Sequence, residues 1–75
     1  MKKSAQKTIR NLIGERVQQL RIKRGWTQET LAKNTGLHRN YIGHVERGEV
    51  NAGIVNVCQL AEAFEMTVSK FLKGI

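Results

Sequence analysis

Residues 27–48 read TQETLAKNTGLHRNYIGHVERG, and the fold turns on how this stretch divides. Thr27 is a good N-cap, since its hydroxyl can accept from a free N–H of the first helical turn. Glu29 then falls where the helix dipole favours a carboxylate. Leu31 and Ala32 are the inner residues of this helix. Gly36 breaks it, because glycine takes the positive φ that a tight inter-helix turn demands. Leu37 leads into another helix, predicted over residues 38–46, with Ile42 and Val45 inward and Gly48 at its end. The rest of that helix is mostly polar: His38, Arg39, Asn40, Tyr41, His44 and Arg47. A helix that gives its own core so little must turn its other side to a partner.

Helical spacing continues on both sides of this stretch. Ile9, Leu12, Ile13, Val17 and Leu20 recur at i, i+3, i+4 intervals, which predicts a first helix over residues 8–23. Gly25 can end it, and Trp26 is placed to pack across the junction. A polar loop, Glu49 to Gly53, leads to a fourth stripe of Ile54, Val57, Cys58, Leu60, Ala61 and Phe64. Thr67 caps a last short helix carrying Val68, Phe71 and Leu72. No segment alternates with period two, so strands lack support. The expectation is an all-α domain of five short helices over residues 8–75, behind a flexible basic arm of residues 1–7. Trp26, Cys58, Phe64 and Met66 are assigned to its core.

Composition bounds the function. The chain has 75 residues, a length suited to one domain with a small core. Its one cysteine and lack of metal-ligand spacing give that core neither an internal disulfide nor zinc, and fit a reducing cytoplasm. The N-terminal MKKSAQK is basic, but no apolar run of signal-peptide or membrane-spanning type follows it. The formal net charge is +7, and it is segregated. Residues 1–48 hold 11 Lys and Arg against 3 Glu, whereas residues 49–75 hold 2 Lys against 3 Glu. Such a division suits a polyanion meeting one end of the molecule, and nucleic acid is the common intracellular one.

The spacing of Gln28, Ala32, Gly36, Ile42 and Val45 is that of a DNA-binding helix-turn-helix. Ala32 must be small where the next helix crosses it, and the two aliphatics pin that helix so that its far side can enter a major groove about 12 Å wide. With TQETLA, Gly36-Leu37, YIGHVERG and LAEAFEMTVSKFL in register, the chain from Ile9 to Leu72 resembles the phage-repressor and Cro-type (XRE-like) helix-turn-helix family. The resemblance implies a lambda-repressor-like five-helix domain that regulates transcription, usually as a dimer on a near-palindromic operator. RNYIGHVERGE is most similar to small regulators that control restriction–modification genes. Asn51-Ala52-Gly53 departs from the family's usual Asn-Pro-Ser/Thr approach to the fourth helix.

With Ile42 and Val45 inward, Asn40 and Arg47 point nearly opposite on a helix turning 100° per residue. Gly43 and His44 lie on the outward half, and Arg39 and Tyr41 on the flanks. The resemblance implies base-edge contacts at Arg39, Asn40, Gly43 and His44. Arg39 can donate twice to guanine and Asn40 can pair with adenine, each worth roughly 1–3 kcal/mol of discrimination. His44 can serve a base or a phosphate, or be a plain surface histidine. Gly43 costs roughly 0.8–1 kcal/mol in a helix interior; close approach of backbone to DNA, or surface drift, accounts for it. Thr27, Gln28, Lys33, Tyr41, Arg47 and Asn51 are the phosphate candidates, and such contacts set register without reading sequence. The resemblance also implies that Gln28 braces the recognition helix, and that Arg21 and Glu46 form a structural bridge.

One such helix reads few base pairs, so a homodimer is expected. Val55, Val68, Leu72 and Ile75 are available for its interface, or else complete the core. No Ser/His/Asp, Cys/His or paired-carboxylate set appears, so no enzymatic activity is expected; no metal, cofactor or small-molecule ligand is evident either. The reading is a cytoplasmic, sequence-specific regulator on double-stranded DNA, repressor and activator being alike in these residues. The alternative is a protein-interaction module, such as an antitoxin-like partner on the same fold.

Overall fold

The computed structural model describes residues 7–75, and all that follows concerns them. The helices are α1 (Ile9–Lys23), α2 (Gln28–Thr35), α3 (Arg39–Glu46), α4 (Ile54–Ala63) and α5 (Val68–Phe71). Apart from Lys7, the arm expected at 1–7 lies outside the described residues. Lys7 itself is exposed and pairs with Glu15 at 2.6 Å.

Side chains start most of these helices. The Thr8 hydroxyl accepts from the Asn11 N–H and the Asn11 side chain answers to the Thr8 N–H, a reciprocal capping box. Thr27 accepts from the Thr30 N–H at 3.0 Å, and Thr67 from the Lys70 N–H at 3.1 Å. His38, expected inside the third helix, is its N-cap, with Nδ1 accepting from the Asn40 N–H at 3.0 Å. Only α4 lacks a side-chain cap, because Gly53 stands in the N-cap position. Gly36 closes α2 at φ 78°, a value a Cβ would resist, so the turn into α3 is set by that residue.

The interior is assembled from all five helices. Val17, Leu31, Ile42, Val45, Leu60, Phe64 and Phe71 are fully buried. Trp26 stacks on Phe64 at 5.6 Å, which in turn lies 6.3 Å from Phe71, so the junction after α1 is closed by aromatic rings. Three apolar expectations fail. Ile9 and Ile54 each begin a helix whose first turn projects beyond the core, and both are exposed. Cys58 follows Val57 by roughly 100° around α4, which carries it past the edge of the buried stripe; it is exposed. Met66 is half-buried against the core.

α1 and α3 come closer than side chains would permit. A Cβ on buried Gly14 would stand 2.3 Å from the Val45 carbonyl oxygen and 2.7 Å from that of Glu46. Arginines of α1 and its C-cap fasten the remaining elements. Arg16 donates to the carbonyl of Phe71, the last residue of α5, and to that of Lys73 beyond it. Arg24 donates to the Phe64 carbonyl that ends α4, with its guanidinium 5.4 Å from the Trp26 ring centroid. Arg16 and Arg24 therefore have structural duties within the basic half, although bonds to neutral carbonyls leave their charge intact.

Candidate nucleic-acid interface

The site is held from beneath by Glu46. Its carboxylate accepts from Arg21 Nε at 2.6 Å and Nη2 at 3.1 Å, and from Gln28 Nε2 at 3.0 Å. Arg21 Nη1 also donates to the Trp26 carbonyl at 2.9 Å. The Glu46 and Arg21 side chains are only 3% and 13% exposed, so this is a buried pair. The bridge expected between the first and third helices is present, with Gln28 as a third member. Because a buried charge left without its partner is costly, Arg21 ties α1 to the end of α3, and the Gln28 amide adds the α2 N-terminus to the same carboxylate.

Above that bridge, Gln28, Arg39, Asn40, Gly43, His44 and Arg47 line a shallow recess of about 170 Å³. All the base-contact candidates thus share one surface with two of the phosphate candidates. Arg39, Asn40 and His44 are exposed, as a helix face entering a groove requires. Gly43 is different. It is buried, because the Arg47 guanidinium folds back over it and Gln28 Oε1 closes the other side. A helical side chain covers the turn N-terminal to its own Cα, so Arg47 lying over Gly43 follows from their spacing. Arg47 thus lies on the side of Gly43 from which a Cβ would project.

The other phosphate candidates are scattered. Thr27 is exposed beside Gln28, with its hydroxyl 3.0 Å from that of Thr30. Tyr41 is half-buried, and its oxygen accepts from Asn56 Nδ2 at 2.8 Å, which leaves the phenolic proton to donate outward. Asn51 is exposed in the loop before α4, outside the recess. Lys33 is also exposed and outside it; five residues beyond Gln28, it points roughly 140° around α2 from that side chain. Of the proposed dimer residues, Val55 is 68% exposed next to Ile54 at 66%. Val68 and Leu72 are half-buried against the core, and Ile75 is half-buried at the chain end.

Glu49 was not among the sequence candidates, yet it enters the site. One carboxylate oxygen lies 2.7 Å from His44 Nδ1 and the other accepts from Arg47 Nε at 3.1 Å. An ionised carboxylate only accepts, so His44 Nδ1 carries the hydrogen, and the 3.3 Å approach of Arg47 Nη2 to Nδ1 is a contact without a hydrogen bond. The Arg47 hydrogen bond first, then that of His44, holds the Glu49 carboxyl below its ordinary value of 4.5. The sequence signal was local, a carboxylate two residues past Arg47 and five past His44, but it read as part of a polar loop.

No described helix is long and apolar enough to cross a membrane, and no described group of three or more His, Cys, Asp and Glu is placed to hold a metal. The family model described as Helix-turn-helix, HTH_3, matches residues 17–71. The chain is 41% identical over 64 residues to control protein C.SmaI of Serratia marcescens, spanning 85% of this chain and 76% of that protein. It is also 41% identical over 56 residues to control protein C.BamHI of Bacillus amyloliquefaciens, spanning 73% of this chain and 69% of that one. Among solved structures, the restriction-modification controller protein C.AhdI from Aeromonas hydrophila matches with a TM-score of 0.79 and 40% identity, over 83% of this chain and 94% of that one.

Proposed function

Because this chain belongs to the helix-turn-helix family of DNA-binding transcriptional regulators, we propose that it binds as a homodimer to a near-palindromic operator and controls restriction–modification genes. It is a regulator and not an enzyme. The observation that carries the finer reading is the gathering of Arg39, Asn40 and His44 on one exposed face of α3, above the buried Arg21–Glu46–Gln28 bridge.

In this reading α3 lies in the major groove. Arg39 donates to guanine O6 and N7, Asn40 pairs with adenine N6 and N7, His44 meets a base edge, and Gly43 allows the backbone close. Gln28 and Thr27, at the start of α2, offer a phosphate their side chains together with the free N–H groups of that turn. Tyr41 donates its phenolic proton to the backbone, and Arg47, Asn51 and Lys33 add further phosphate contacts. Two copies joined through Val55, Val68, Leu72 and Ile75 would present their α3 helices to half-sites about 34–36 Å apart. Ile54, as exposed as its neighbour Val55, extends that surface. The setting is the cytoplasm, where the operator is.

The test is selection of bound duplexes from a random pool, followed by titration of variants. A near-palindromic consensus is expected, with affinity falling steeply as salt rises. Arg39→Ala should relax preference at one position per half-site, while Gln28→Ala weakens all duplexes alike. Recovery of no consensus, or Arg39→Ala lowering every duplex equally, would refute the assignment.

A further inference from the structure

The recess contains cations and amides suited to DNA, and two of the side chains that line it are held by an acid outside it. Glu49 accepts from Arg47 and contacts His44 with its two oxygens, one to each. The same Arg47 guanidinium lies over Gly43. A phosphate would ask for the very donors the carboxylate already holds, since both anions take charge-assisted hydrogen bonds from a guanidinium.

We infer that Glu49 is an internal counter-anion which DNA must displace from Arg47 and His44, and that this exchange uncovers Gly43. The inference rests on the DNA-binding reading of α3 given above. Two consequences follow from one movement. Arg47 contributes its charge to a duplex only after leaving Glu49, so the free protein offers less positive charge than its sequence suggests. When Arg47 does leave, the backbone at Gly43 opens toward the groove. A loose encounter that neutralises phosphates without seating α3 leaves the carboxylate in place, and gains nothing from Arg47. Glu49 thereby acts as a specificity-determining positioning residue: it withholds a contact until the helix is seated.

Glu49→Gln removes the charge and keeps the shape. Its binding to a duplex selected from a random pool and to a shuffled duplex of the same composition is measured by fluorescence anisotropy over a salt series. The shuffled duplex should bind the variant roughly five- to tenfold more tightly near 0.1 M salt, with a log–log salt slope steeper by about 0.9, as expected for one more phosphate neutralised. Glu62→Gln makes the same change in net charge on the exposed side of α4, and should alter affinity less than about twofold, because distant surface charges are screened. In a background carrying both Arg47→Ala and His44→Ala the Glu49→Gln effect should disappear. Equal effects from Glu49→Gln and Glu62→Gln, or persistence without both Arg47 and His44, would overturn the inference. So would weaker binding of the selected duplex with altered base preference, which would mean that the carboxylate itself accepts from a base. A wild-type protein that binds neither duplex in a salt-dependent way would instead sink the DNA-binding reading, before any variant is made.

Discussion

Gly14→Ala tests whether α1 positions the recognition helix. The new Cβ would stand 2.3 Å from the Val45 carbonyl oxygen and 2.7 Å from that of Glu46, against 3.4 Å or more for ordinary contact. Both obstructing atoms are backbone, so no rotamer change relieves them, and the helices must part by roughly 1 Å, a gap that forfeits much of the local dispersion energy. Overpacking of this kind costs about 1–3 kcal/mol, and the absence of a side-chain escape argues for the upper end. Alanine returns roughly 0.8–1 kcal/mol through its helix propensity. The net expectation is a loss of about 2 kcal/mol, or roughly 8–16 °C in Tm for a domain of this size. Urea denaturation followed by circular dichroism gives the first figure and thermal melting the second. Because one displaced carbonyl belongs to Val45, an inward anchor of α3, and the other to Glu46, which holds Arg21 and Gln28, affinity for the selected duplex should fall even at temperatures where the variant is fully folded. A Gly14→Ala variant as stable as the parent would refute the close approach, and unchanged DNA affinity would refute the claim that α1 sets the pose of α3.

Arg21→Ala takes the cation from the Glu46 carboxylate, 3% exposed, and leaves it the Gln28 amide, and should cost about 3–5 kcal/mol in urea denaturation; a loss under about 1 kcal/mol would mean that the pair is solvated. Gly43→Ala should move stability and binding in opposite directions. Only the flexible tip of Arg47 is tight against the new Cβ, so up to roughly 0.8–1 kcal/mol of helix propensity is gained, while duplex affinity measured by anisotropy falls. A Glu49 carboxyl titration followed by NMR should show a midpoint below 4.5, which rises in Arg47→Ala. The sign follows from the lowered folded-state value: ionised Glu49 favours the fold above its unfolded pKa, and that contribution is lost as pH falls through the folded one.

The helices were legible because their punctuation is local. The Thr27 and Thr67 caps and the glycine after each of the early helices act within a few residues of themselves, so a linear reading finds them, whereas the Thr8 cap was read as part of its helix. The outward face of α3 was legible for the same reason, since a 100° rotation per residue needs only two inward anchors. The Arg21–Glu46 bridge came from family resemblance, because nothing in the chain between two residues 25 positions apart says that they will meet. Gly14 was missed because its purpose exists only where α1 crosses α3. The cover over Gly43 and the role of Glu49 depend on which way long side chains fold, and a helical wheel does not record that. The fastening by Arg16 and Arg24 was hidden in a similar way: both count toward a basic half, and nothing local says that their side chains reach carbonyls at the ends of α5 and α4.

The grip on α3 comes from three directions: the bare backbone of Gly14 on one side, Gln28 through Glu46 on another, and Asn56 on the phenol of Tyr41. If α3 is the helix that enters the groove, as proposed, a grip of this kind resists its adjusting to an ill-fitting groove, and a mismatch of pitch or width falls to the double helix. Sequences that bend easily at steps the protein never touches should therefore be favoured over stiffer ones carrying the same contacted bases.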